Sequence, residues 1–253
     1  GSTRKSSKLP KVLSELQEHL EHIFTNEQTN FLDISKAQEF KNSFFEPLQL
    51  VYSPDEIRLE AMTMTGYIMI QSETRIVVEA SSNLKDVVLI APTVEIKDHV
   101  IGTFQVIATE SISVGENCKL HYPSALVVFN EKILTPNEQQ NSDDEANAIT
   151  INEGTTINGV VFWNTPTKTR NYDPQVLINE KVIINGEVFC NSNLELKGTV
   201  HGTIYTSNFV ARQSGSIYQN HIYNGTIIVG MLPQEYVGLP FESSKKGVVK
   251  WLY

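Results

Sequence analysis

Ile76-Val77-Val78-Glu79-Ala80, Val94-Glu95-Ile96-Lys97-Asp98 and Ile112-Ser113-Val114-Gly115-Glu116 start eighteen residues apart. A fixed period of this length marks a chain that stacks one small structural unit on the next. A second set of aliphatic runs keeps the beat less evenly. Val88 in Val87-Val88-Leu89-Ile90 is followed after eighteen residues by Val106 in Phe104-Gln105-Val106-Ile107, then after twenty-one by Val127 in Leu126-Val127-Val128-Phe129. A small insertion at one corner accounts for the slip.

Between Ile57 and Phe129 short β-branched runs alternate with Gly66, Ser81-Ser82-Asn83, Pro92, Gly102, Gly115 and Pro123, the punctuation of successive strands. No helical period separates the runs, so β-α-β units are disfavoured and parallel alignment has to come from coiling. The expected fold is all-β: a right-handed, single-stranded parallel β-helix over residues 56–253, with a short helical cap in residues 1–55. Within that cap, Leu13, Leu16, Leu20, Ile23 and Phe24 fall on one face of an amphipathic helix over 11–25. Phe31, Leu32, Phe40, Phe44 and Phe45 suggest a second short helix before the strands begin.

Two stretches break the beat. Residues 134–148, with Asn141-Ser142-Asp143-Asp144-Glu145, are polar and acidic, and residues 164–174 contain Pro166 and Pro174; both are expected as loops extruded from the stack. Around them a glycine frame returns in Ile157-Asn158-Gly159-Val160-Val161, Ile184-Asn185-Gly186-Glu187-Val188 and Leu196-Lys197-Gly198-Thr199-Val200, where glycine permits a backbone that a Cβ would obstruct.

The chain of 253 residues, 40% hydrophobic and 19% charged, is long enough to bury a sizeable core. A formal charge of -9 argues against a nucleic-acid partner, because backbone binding needs clustered Lys and Arg. Cys118 and Cys190, seventy-two residues apart, make neither a zinc ribbon nor a disulfide framework. No run of eighteen apolar residues is present. Gly1-Ser2 without Met reads as a cloning remnant, and Arg4, Lys5, Lys8 and Lys11 as an ordinary solvated terminus or, alternatively, as the basic flank of a preceding membrane anchor.

Leu194-Glu195-Leu196-Lys197-Gly198-Thr199-Val200-His201-Gly202-Thr203-Ile204-Tyr205 resembles the aliphatic-x-Gly-x-Val-x-Gly coils of bactofilins, the polymer-forming β-helix proteins of bacteria. The segment onward to Lys250-Trp251-Leu252 is similar to the ends of membrane-anchored envelope proteins that carry a β-solenoid. The resemblance spans roughly the last hundred residues. It implies a non-enzymatic structural or interaction module of the cell envelope, periplasmic or extracellular, with a protein partner or self-association. Bactofilins are more regular, and lack both a helical N-terminal region and long acidic loops.

Chemistry-bearing residues are sparse. Asp143 and Asp144 could meet a cation, but the acidic run lacks the glycine and terminal Glu of a calcium loop. Cys118 and His121 stand at a C-x-x-H spacing with no second pair. Glu79, Glu95 and Lys97 could face outward together as an acid-base set for sugar cleavage. A glycan-active lyase or hydrolase, or an adhesin-like glycan binder, is therefore the alternative. Phe162, Trp163 and Tyr172 flank the second extruded loop and could stack on a sugar or anchor a protein, with core packing of Phe162 or Trp163 as the preferred competing reading. No phosphate cradle, nucleophile elbow or kinase signature occurs, so no cofactor, metal or catalytic residue is assigned. Tyr205, Tyr218, Tyr223 and Tyr236 are expected in the last packed layers, with 248–253 covering that end.

Overall fold

The computed structural model describes residues 8–11, 30–130, 148–166, 172–232 and 236–242. The helix expected over 11–25, the acidic residues Asp143 and Asp144, most of loop 134–148 and the segment 248–253 lie outside the described residues. Among those described there is no α-helix.

Among the described residues there are seventeen strands and one 3₁₀ turn. The first seven are short: β1 (Asn30–Phe31), β2 (Glu39–Asn42), β3 (Gln49–Ser53), β4 (Ile57–Leu59), β5 (Thr63–Gly66), β6 (Ile68–Ser72) and β7 (Arg75–Val78). Then come β8 (Asn83–Ile96), β9 (Ile101–Val114), β10 (Lys119–Phe129), β11 (Ile149–Ile151), β12 (Thr156–Asn164) and β13 (Val176–Ile178). The chain continues with β14 (Ile183–Leu196), β15 (Thr199–Gln213), β16 (Ser216–Gln219) and β17 (Thr226–Ile228). The second helix expected before residue 55 is replaced by β1 to β3 and one 3₁₀ turn at Ile34–Lys36 capped by Asp33. Phe40 alternates with polar neighbours at the strand period and packs on the core, so pairing decides its conformation.

All pairings are parallel except the β15–β16 hairpin. They form three ladders. The first joins β2 and β5 through the starts of β8, β9, β10, β12, β14 and β15 to β17. The second joins β1, β3 and β6 to later parts of the same long strands. The third runs β4, β7, β8, β9, β11, β13, β14 and the later part of β15. Inward side chains of all three ladders meet in one apolar core, which includes Leu59, Ile76, Leu89, Val106, Leu126, Ile157, Trp163 and Val188.

The eighteen-residue beat is visible in the register. Ile76 pairs with Val94 and Val94 with Ile112. Ile112 then pairs with Ile149, thirty-seven residues on, and Ile149 with Val176, twenty-seven on, before eighteen returns at Leu194. The two long intervals contain the two stretches expected as extruded loops. In the second ladder the expected alignment is corrected by one residue: Leu89, Val106 and Leu126 share the core-facing column, whereas Val88 pairs with Gln105 and Val127 with Ile107. Register shifts between Lys85 and Val87, where Asp86 has φ 59°, and between Leu120 and Ala125 cause this. One residue of slip exchanges the two faces of a strand.

The glycine frame is also shifted in its third copy. Gly159 pairs with Gly186, and Gly186 with Gly202, not with Gly198. A Cβ on Gly186 or Gly202 would overlap the carbonyl oxygen of the glycine in the preceding layer. Gly159 and Gly202 moreover have φ near +150°, so this column accepts only glycine.

Candidate functional site

The outward side of the second ladder should be polar, because inward and outward positions alternate along a strand. Instead it carries a second apolar cluster: Ile90, Ile107, Phe129, Phe162 and Phe189, joined by Phe241 from the C-terminal segment. The Phe162 and Phe189 rings stack at 5.0 Å, Phe241 meets Phe189 at 6.0 Å, and Tyr205 meets Phe241 edge-on at 4.9 Å. Residues 236–242 thus form a strap along the flank. Tyr236 fastens it by donating its hydroxyl to the Gly159 carbonyl at 3.2 Å and accepting from the Glu187 N–H at 3.1 Å. Burial, then the nearby Glu187 carboxylate, push the Tyr236 phenol well above its ordinary pKa. The Glu187 carboxylate accepts from the Leu239 N–H, and the Glu242 N–H donates to the Lys11 carbonyl at 3.0 Å, joining the strap to residue 11.

The sequence-predicted interaction residues therefore separate. Phe162 is buried under the strap, and Trp163, 1% exposed, faces the main core. Neither can stack on a sugar, because strand alternation directs one ring to each apolar cluster. Tyr172 is exposed at the base of the second loop.

Glu79, Glu95 and Lys97 do lie on one outward surface, but their charges are already matched. Arg58 pairs with Glu79, and both Arg75 and Lys97 pair with Glu95. Sequence reasoning missed a second, equivalent triad: Glu195 accepts from Arg212 Nε at 3.1 Å and from its main-chain N–H at 3.1 Å, with Lys197 Nζ at 3.4 Å. The signal was legible, since Val94-Glu95-Ile96-Lys97 and Leu194-Glu195-Leu196-Lys197 share a pattern.

Cys118 is buried and gives its thiol to the Lys97 carbonyl at 3.1 Å; burial raises its pKa. It is no partner for the exposed His121. Burial likewise pushes the Cys190 thiol up to about 12. His201 Nδ1 lies 2.7 Å from Asn185 Oδ1, part of a run in which Asn185 also donates to Asn158 at 2.7 Å, a structural ladder. Among the described residues no three His, Cys, Asp or Glu side chains converge as a metal site would require.

The two ends of the ladders differ. At the start, β2 carries an ion pair between Lys41 and Glu39 at 2.6 Å, and the adjacent turn one between Lys36 and Asp33 at 3.2 Å. At the finish, β17 pairs only with β15 among the described residues, and all three of its side chains are exposed. Ile222, Tyr223, Val229 and Met231, close to β17 in sequence, are exposed, as are Ile217 and Tyr218 of β16. The tyrosines expected in the last packed layers divide accordingly: Tyr205 and Tyr236 pack on the flank, while Tyr218 and Tyr223 remain at the open end.

Comparison with family models, with curated proteins and with solved structures finds no match.

Proposed function

We propose that this chain is a non-catalytic interaction module: its three parallel ladders wind as a right-handed β-helix, and the end of that solenoid binds protein, including a second copy. One observation carries the reading. The flank, where β-helix enzymes place their chemistry, is closed by the strap or neutralised by ion pairs, whereas the last layer exposes apolar side chains beside a strand edge with no partner among the described residues. Sheet edges of this kind add another chain through main-chain hydrogen bonds. The bacterial envelope, with anchorage in its membrane, is the setting that the resemblance to bactofilins and envelope solenoids implies.

Light scattering on the purified protein across a concentration series tests the reading. Mass rising with concentration is expected. A constant monomer that turns over or retains acidic polysaccharide, with the effect lost in Glu95→Gln, would replace it by the glycan-active alternative.

A further inference from the structure

The ends of the ladders are chemically unlike, and that difference bears on what kind of assembly they permit. Natural proteins shield sheet edges with charge, most often Lys, because a charged side chain is costly to bury against an incoming strand. The first end follows this rule with Asp33, Lys36, Glu39 and Lys41 on and beside its edge, set among the exposed Phe31, Phe44 and Phe45. The last end does not. Between Arg212 and Glu235 the sequence has no Asp, Glu, Lys or Arg, although 19% of the whole chain is charged. This uncharged interval supplies β16, β17 and the exposed Ile222, Tyr223, Val229 and Met231.

A head-to-tail contact would oppose a charged edge to an apolar one and leave Glu39 and Lys41 to be desolvated. Repeated, it would give an open filament. A tail-to-tail contact opposes two uncharged apolar faces. For molecules that each carry a net charge of -9, such a face lets two copies approach without like charges meeting. It also uses up the charge-free end and leaves the charged one facing outward, so growth stops at two.

We propose that the C-terminal end is the interface of a closed, two-fold symmetric homodimer, in which β17 of one copy pairs antiparallel with β17 of the other, centred on Ile227. This rests on the reading that the solenoid end binds protein, and narrows it to one end, one partner and one stoichiometry. β17 has only three residues, so main-chain bonds register the contact and the surrounding apolar side chains supply its affinity.

Sedimentation and light scattering of the full chain from dilute to concentrated solution, repeated for substitutions at the two ends, test this. The native chain should pass from one to two chain masses and stop. Ile228→Lys should raise the dissociation constant roughly a hundredfold, since each copy loses an apolar contact and gains a charge at the seam. Val229→Lys, at a position 77% exposed, should act in the same direction and serves if Ile228→Lys impairs folding. Phe45→Lys, at the opposite end and 100% exposed, should change nothing. Ile227→Cys should give a disulfide-linked dimer on mild oxidation, because Cys118 and Cys190 are buried.

Mass growing past two, or sensitivity to Phe45→Lys in place of Val229→Lys, would overturn the closed dimer while leaving self-association standing. Dimers that form normally but refuse the Ile227 cross-link would overturn the β17 pairing. A monomer at every concentration would remove the dimer and self-association together.

Discussion

Glu95 and Glu195 occupy one column of the third ladder, linked through Ser113, Thr150 and Leu177, and each is flanked by a Lys two residues on and an Arg from a neighbouring strand. Local sequence makes them equivalent, yet the Glu95 side chain is 21% exposed and that of Glu195 only 2%. The difference arises from the neighbouring layer of the stack. Above Glu95 the ladder continues with small polar residues, whereas beside Glu195 the chain turns into the β15–β16 hairpin, and the Arg212 backbone itself reaches the carboxylate. An ion pair near water contributes little, while a buried one is costly to break. The same gradient runs along the second ladder, where the strap gathers on Phe189 and Tyr205.

Phe189→Ala would break the covered half most severely. It removes the ring shared by Phe162 and Phe241, and urea unfolding should report a loss of about 3–4 kcal/mol; a loss below about 1 kcal/mol would mean that the strap is not seated there. Glu195→Ala should cost about 3 kcal/mol by the same measurement, the lower end for a broken buried pair because Arg212 and Lys197 keep some access to water. Equal costs at Glu195 and Glu95 would erase the contrast.

Three further substitutions sharpen it. The folded state raises the Cys190 thiol from its unfolded value near 9 to about 12. A raised pKa favours the protonated form, so this contribution is complete below about pH 9 and is lost as pH climbs toward 12. Stability should therefore fall by about 1 kcal/mol by pH 10, and Cys190→Ala should flatten that slope. Tyr236→Phe leaves the Gly159 carbonyl and the Glu187 N–H short of a partner and should cost about 1 kcal/mol. Hydrogen exchange at Glu187 should rise with it. Glu95→Gln should change stability least, by under about 1 kcal/mol, an effect that added salt diminishes.

Much of the architecture could be read from residues because it depends on local period. The rung at Ile76, Val94 and Ile112 recurs in the observed register, and both stretches that break the beat fall where pairing partners are far apart in sequence. Within the repeat the failures amount to one residue or one turn, whereas ahead of it an expected helix is replaced by β1 to β3. Period alone puts Val88 and Val127 in the core column although bulges send them outward, and it aligns Gly198 where Gly202 belongs. An apolar pattern records that residues alternate; it does not record where a strand gains an extra residue.

The candidate sites divide along the same line. Phe162 and Trp163 look alike beside a polar loop, and only the pleat assigns one to the strap and the other to the core. Composition alone was enough for the charge-free interval between Arg212 and Glu235, because charge and its absence are properties of residues. That this interval forms an exposed strand edge at the end of three ladders, while the other end is shielded by ion pairs, was decided by tertiary structure. Period and charge are local quantities; burial and edge position depend on which distant strand pairs last.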